Sequence, residues 1–437
     1  MRQKLLSDGA KELEYEIRNI VKKAEKIEAL GQKIFWENIG DPIQKNAQIP
    51  AWIKEIVSNL VQDDKTYGYC HSKGVLETRK FLSERTNSKS GTQITADDVL
   101  FFNGLGDAIA KVYQYLDSSS RVIGPSPAYS THSSAEAAHA NKLPLTYNLD
   151  PKNHWYPDLI ELENKVKYNP SIVGILIINP DNPTGMVYPL DVLKKIVALA
   201  KEYNLFLISD EIYSSITYNG KIAHGLAEVI GDVPGIAMKG ISKEVPWPGS
   251  RCGWMEFYNR NKDHEFSRLC GAIEDAKMIE VCSTTLPQKA IPQLLGSPLF
   301  EDYRKEENNK IGKRSKLITE ILGDVPFLYF NETFGAFYNT MVFKEGVLNR
   351  HNRIKIENPK AEQLFESWIT EDMDLDKIFA YNLLAAKGVC VVPLSSFHSK
   401  LIGFRVTLLE NNEELLKETF TKIKDALYEF CGEKEIK

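Results

Sequence analysis

Between Val99 and Met238, short apolar runs alternate with stretches of helical periodicity, and this alternation constrains the fold more than any other feature of the chain. The runs are Val99 to Phe102, Arg121 to Gly124, Ile172 to Ile178, Leu205 to Ser209 and Gly235 to Met238. A run apolar at successive positions has to be covered on both faces, as a parallel strand is inside a layered α/β sheet. The segments Asp107 to Leu116, Asp158 to Val166 and Leu190 to Tyr203 repeat apolar residues every three or four positions and supply the crossover helices. The fold class read from this pattern is α/β, with a mostly parallel central sheet, flanking helices and a smaller α+β domain.

The flanks read differently. Lys11 to Leu30 has the spacing of an amphipathic helix, and so do Glu265 to Ile279, Leu286 to Leu295, Glu301 to Leu322, Asp376 to Lys387 and Asn412 to Phe430. Further strands are expected at Phe327 to Phe330, Ala336 to Phe343, Val389 to Pro393 and Phe404 to Leu408, and an exposed loop or insertion at Asn349 to Lys360. These divide the chain into a large α/β domain at residues 60–324 and a small domain built from residues 1–59 and 325–437. Trp36 and the segment 343–376 carry no chemical signal, and core packing or an exposed loop is expected of them.

Composition removes several function classes. The 437 residues carry 54 Lys plus Arg against 59 Asp plus Glu, a net charge of -5, which leaves no basic excess for nucleic acid. Six scattered cysteines, none in a CxxC pair, suit a reducing, cytoplasmic setting better than a disulfide framework. No long apolar run suggests a membrane span or an export signal, so neither membrane nor secretion is expected. His132 and His139 have no partner at ligand spacing; they read as solvated surface residues, and no metal is expected.

Reactive side chains in an α/β sheet belong at the C-terminal ends of the strands, where loops converge. The run Ile175-Leu176-Ile177-Ile178 ends in Asn179-Pro180-Asp181-Asn182-Pro183-Thr184-Gly185, a turn stiffened by two prolines. Leu205 to Ser209 ends in Asp210-Glu211-Ile212-Tyr213, and the next strand ends in Gly240-Ile241-Ser242-Lys243, followed by Pro248-Gly249-Ser250-Arg251. Upstream, Asn103-Gly104-Leu105-Gly106-Asp107 follows a strand and opens a helix, so its amides can cradle an anion at the positive helix end. By itself GxG equally suits a plain tight turn, and it is not the GxGxxG of a dinucleotide site. A lysine, an acid, a tyrosine, an asparagine and an arginine at successive strand ends suit a polar cofactor that carries an aldehyde. Ordinary alternatives exist: a solvated Lys243, a helix-capping Asp210 and Asn182 as a turn residue; likewise Tyr129, in Gly124-Pro125-Ser126-Pro127-Ala128-Tyr129, suits the core, and Arg405, between Phe404 and Val406, the surface.

Taken in this order, from Ile39-Gly40-Asp41-Pro42 to Phe404-Arg405-Val406, these motifs resemble those of the class I/II aminotransferases, pyridoxal-phosphate enzymes of fold type I. The resemblance covers nearly the whole chain. It implies that Lys243, within SKxxxxPGxR, captures the cofactor aldehyde and then serves as general acid and base. It implies that Asp210 pairs with the pyridine nitrogen, that Asn182 and Tyr213 hydrogen-bond the ring's phenolic oxygen, and that Tyr129 stacks on the ring. Gly104, Leu105, Gly106, Ser242 and Arg251 would hold the phosphate, Arg251 by a bidentate contact. Tyr69 would reach the phosphate of a neighbouring subunit, with Tyr67 as the alternative, so a homodimer with shared active sites is implied. Arg405 would fork onto the substrate's α-carboxylate, with Gly40 closing over it and Asn182 beside it. Gly240 departs from the pattern, since many relatives carry serine there; one phosphate hydrogen bond is lost, to be replaced by Ser242 or water.

The activity implied is ping-pong transfer of an amino group between an α-amino acid and a 2-oxo acid, with aspartate first and alanine or an aromatic amino acid next. Two alternatives stay open: a pyridoxal-phosphate-dependent lyase or decarboxylase of the same fold, and a non-catalytic regulatory protein that retains it.

Overall fold

The computed structural model describes residues 5–432 apart from 7 and 13–15. Strands are numbered along the chain. They are β1 (Phe35–Trp36), β2 (Val99–Phe102), β3 (Arg121–Ser126), β4 (Thr146–Asp150), β5 (Tyr156–Pro157), β6 (Ile172–Ile178), β7 (Phe206–Asp210), β8 (Gly235–Gly240), β9 (Gly253–Tyr258), β10 (Leu328–Tyr329), β11 (Tyr338–Phe343), β12 (Val389–Cys390), β13 (Val392–Pro393) and β14 (Gly403–Thr407).

Eight strands form the central sheet in the order β2-β9-β8-β7-β6-β3-β4-β5. From β8 to β4 neighbours are parallel, as the apolar runs predict. Strand β6 shows why both faces must be covered. Ile175 and Ile177 pack with Leu193 and Ile196 of the helix Leu190–Glu202, while Leu176 and Ile178 pack with Ile109 and Val112 of the helix Leu105–Tyr115. Each such side chain contributes about 1.5–3 kcal/mol by leaving water. Register matters for the site: Ile178 lies opposite Asp210, and Asp210 opposite Met238, so the loops after β6, β7 and β8 leave the sheet at nearly one level.

The sequence reading needs a correction at the sheet edge. Strand β2 does not join a parallel neighbour; it pairs antiparallel with β9, which is itself antiparallel to β8. Strand β9 escapes an apolar-run reading because Glu256 sits in its middle. That carboxylate is buried and satisfied by Lys239 at 2.8 Å, Tyr258 at 2.5 Å, Trp254 Nε1 at 3.1 Å and Thr86 at 3.0 Å. A buried charge is tolerable only with such partners.

A smaller antiparallel sheet, in the order β10-β11-β14-β13, forms a second domain, and β1 pairs in parallel with β12. The predicted N-terminal helix spans Glu16–Glu28, and residues 13–15 of the expected range lie outside the described residues. The expected exposed loop at Asn349 to Lys360 is corrected in part. Ile354 is buried, with its amide and carbonyl both held by the Asn382 side chain, and a helix begins at Pro359. Half-buried Trp36 is part of β1.

Candidate active site

Asp210 is the last residue of β7 and is buried. One carboxylate oxygen lies 3.0 Å from His132 Nε2, and the other accepts from the Ile212 amide at 3.1 Å. His132 is therefore no surface residue: it is 1 % exposed, on the helix Ser130–Ala140, and the expectation of a solvated histidine is overturned by that helix packing against the sheet. His139 is half-buried as well, with Nε2 at 3.1 Å from the Ser120 carbonyl. Tyr129 immediately precedes this helix, its ring 6.4 Å from that of His132.

Lys243 lies in the loop after β8, half-buried, and its Nζ donates to the Gly40 carbonyl at 2.6 Å. Arg405 stands in the middle of β14 and is buried. Its Nη2 donates to the Asn38 carbonyl at 2.7 Å and its Nη1 reaches the Asn182 side-chain oxygen at 3.5 Å. The short segment Asn38–Gly40 thus touches both the amine and the guanidinium. Behind it, Glu37 is buried against Lys45 and accepts from Thr407 at 3.0 Å, which ties the segment to β14.

Tyr213 and Tyr338 meet at this cleft, their hydroxyls 3.0 Å apart. Burial, and then the adjacent Tyr338, pushes the Tyr213 phenol well above its ordinary range, so it keeps its proton at neutral pH. Asn182 is carried by the turn after β6, and that turn is fastened to β11. Gly185 has φ +73°, and a Cβ there would lie 2.2 Å from the Tyr338 carbonyl. The amides of Phe334 and Gly335 both donate to the Gly185 carbonyl at 2.9 Å, and the Thr340 hydroxyl donates to the Pro183 carbonyl at 2.7 Å.

The expected anion cradle falls at the N-terminus of the helix Leu105–Tyr115. Gly104 has φ +87°, a conformation that favours glycine, and a Cβ there would meet the Arg251 guanidinium at 2.4 Å. The exposed Arg251 thus lies against Gly104, its Nη2 3.5 Å from the Asn103 carbonyl and its Nη1 3.1 Å from the Pro248 carbonyl. Ser242 is half-buried beside Lys243. Space at Gly240 is tight: a Cβ there would stand 3.0 Å from the Cys252 carbonyl and 3.1 Å from the Ile212 side chain.

Tyr69 stands apart on the rim, 86 % exposed. Its segment is held to the start of the helix Thr285–Leu295, where Thr285 donates to the Gly68 carbonyl at 2.8 Å. Tyr67 is exposed too, but its hydroxyl is engaged by the Val61 carbonyl at 3.0 Å. Sequence reasoning missed His132 and Tyr338. The signal available for Tyr338 was its place in Gly335-Ala336-Phe337-Tyr338, a run entering a strand next to the one bearing Arg405. No cluster of three or more metal-ligating side chains occurs among the described residues, and no described helix is long and apolar enough to cross a membrane.

A mixed, mostly parallel sheet that carries an amine, a buried acid and an anion cradle on its strand-end loops, beside an antiparallel domain that supplies a guanidinium, defines the class of fold type I transferases. The family described as aminotransferase class I and II matches residues 35–423, and the chain belongs to it. It is an enzyme of the pyridoxal-phosphate-dependent transaminase class. The chain is 55% identical over 430 residues to an uncharacterized aminotransferase of Methanocaldococcus jannaschii, covering 98% of this chain and 99% of that one. It is 30% identical over 327 residues to the glutamate-pyruvate aminotransferase of Escherichia coli K12, covering 74% of this chain and 79% of the relative. Among solved structures, alanine aminotransferase from Pyrococcus furiosus superposes with a TM-score of 0.84 at 29% identity, covering 97% of this chain and 100% of the other.

Proposed function

We propose that this enzyme uses pyridoxal 5'-phosphate to move an amino group between alanine or glutamate and a 2-oxo acid by a ping-pong mechanism. The observation that carries this reading is the convergence of Lys243 Nζ and the Arg405 guanidinium on one segment, at 2.6 Å from the Gly40 carbonyl and 2.7 Å from the Asn38 carbonyl. An α-amino acid presents its reacting carbon next to its carboxylate, so an amine and a carboxylate fork have to share one cleft. Alanine and glutamate are placed ahead of aspartate because the Escherichia coli and Pyrococcus furiosus proteins carry glutamate-pyruvate and alanine in their names.

The residues fit the cofactor. Gly104 leaves open the cradle that a Cβ would fill, with Arg251 over it, and that pairing of helix amides with a guanidinium suits a phosphate. When bound, pyridoxal phosphate supplies a protonated pyridine ring that takes up the electron pair left at the substrate's α-carbon. Asp210 holds the proton at the ring nitrogen, and His132 fixes the Asp210 carboxylate. Tyr213 and Asn182 donate to the phenolic oxygen, and Tyr129 covers the ring. Arg405 orients the α-carboxylate. Lys243 Nζ would take the proton from the α-carbon and deliver it to the former aldehyde carbon, two atoms away across the nitrogen.

Exposure of Tyr69 at the rim supports a homodimer in which this side chain reaches the partner's phosphate site. The domain division at residues 60–324 belongs to the same reading, as does a cytoplasmic location. The test is a donor panel on purified holoenzyme, with borohydride reduction to mark the cofactor-bearing lysine. Labelling at Lys243, with alanine or glutamate yielding a keto acid and the amine form of the cofactor, is expected. Return of the aldehyde form after turnover would make the enzyme a lyase, and reaction with aspartate alone would reverse the substrate order.

A further inference from the structure

The best connected side chain of the cleft is one to which neither sequence motif nor proposed chemistry gives a role. Tyr338 enters β11, where it lies opposite Thr407, while Thr340 lies opposite Arg405. Its ring lies under the Arg405 guanidinium, 4.5 Å from ring centre to the guanidinium carbon, with Phe397 at 5.2 Å. Its hydroxyl is 3.0 Å from the Tyr213 hydroxyl, the two rings set edge to face at 85°. The same hydroxyl fills the space over Gly40, where a Cβ would stand only 2.4 Å away. Tyr338 is 2 % exposed, so none of these contacts competes with bulk water.

We infer that Tyr338 is a positioning residue that couples the carboxylate fork to the phenolic end of the cofactor site. The inference rests on the function proposed above. A phenol has one proton to give. If Tyr338 donates to the Tyr213 oxygen, the Tyr213 proton is free to point away from Tyr338, toward the phenolic oxygen it is proposed to hold. A hydroxyl that accepts one hydrogen bond becomes a better donor in the next, so the pair acts as a short chain. At its other end the ring face holds Arg405 flat without consuming any of its donors, which are needed for the carboxylate. Gly40 then has a reason of its own: any side chain there would push the Tyr338 hydroxyl off Tyr213.

The experiment reads the pH titration of the bound cofactor's absorbance in holoenzyme without substrate. Y338F, which deletes only the hydroxyl, should move the midpoint up by about half to one pH unit, the worth of one neutral hydrogen bond. Y213F should move it further, and Y213F/Y338F no further than Y213F alone. G40A, acting on the hydroxyl from the other side, should reproduce the Y338F shift and add nothing to it. Y338F keeps the ring, so the KM for the amino acid should stay within about two-fold, whereas Y338L should raise it roughly ten-fold by removing the face under Arg405. Additive shifts of Y213F and Y338F, or an unmoved midpoint in Y338F, overturn the inference and leave the proposed function standing. A wild-type chain that takes up no pyridoxal phosphate overturns both.

Discussion

Asp181 offers a quantitative test of how the turn between β6 and the following helix is built. It is fully buried, and one carboxylate oxygen accepts from the Thr184 amide at 3.0 Å and from the Thr184 hydroxyl, while the other has no hydrogen-bond partner. Burial outweighs the Thr184 bonds and, helped by nearby Asp210, raises its pKa from 3.8 to about 7. The folded protein therefore keeps a proton that the unfolded chain releases above pH 4. Stability must fall as pH rises through that window, by about 1.4 kcal/mol per unit and about 4 kcal/mol in all. D181N keeps an acceptor for both Thr184 groups and cannot ionise. Between pH 5 and pH 8 its stability relative to the wild type should grow by about 3 kcal/mol, read by urea unfolding at the two pH values. Parallel stability curves for the two proteins would refute the argument, since they would mean that Asp181 is ionised and satisfied throughout.

Other predictions concern the site itself. H132A leaves the Asp210 carboxylate without its 3.0 Å partner and should lower kcat roughly ten- to hundred-fold in steady-state assays, with little change in KM for the amino acid. R405K replaces a planar fork by a point charge and should raise that KM by about fifty-fold or more while the bound-cofactor spectrum stays unchanged. G104A forces a Cβ to within 2.4 Å of Arg251 and imposes a left-handed backbone on alanine, so equilibrium dialysis should show weakened cofactor retention.

The central sheet was legible because β3, β6, β7 and β8 are buried on both faces and so carry apolar runs, Val122-Ile123, Ile175 to Ile178, Phe206 to Ile208 and Ile236 to Met238. Its edge was not, since β9 carries Glu256, whose charge is hidden by partners as distant as Thr86, 170 residues away. The same distinction separates the site residues. Lys243, Asp210 and Asn182 follow directly from strands and stand out as polar punctuation after apolar runs. His132 and Tyr338 act across elements, 78 residues from Asp210 and 125 from Tyr213; the run entering β11 marks Tyr338 as a candidate, but the partner each one meets is not written in the linear pattern. Gly240 was legible as a departure, but the close approach of Cys252 and Ile212 to it was not.

The fastening of the Asn182 turn to β11 has a mechanical consequence. Three hydrogen bonds to the Pro183 and Gly185 carbonyls, and a glycine with no room for a side chain, weld the two sheets along one border of the cleft. Two bodies joined along a stiff border can rotate about it but cannot slide past each other. The segment Asn38–Gly40, which meets Lys243 of the large sheet's loops through one hydrogen bond, is the weaker link and parts more readily on such a rotation. Admission of substrate and expulsion of water would both be governed from that side.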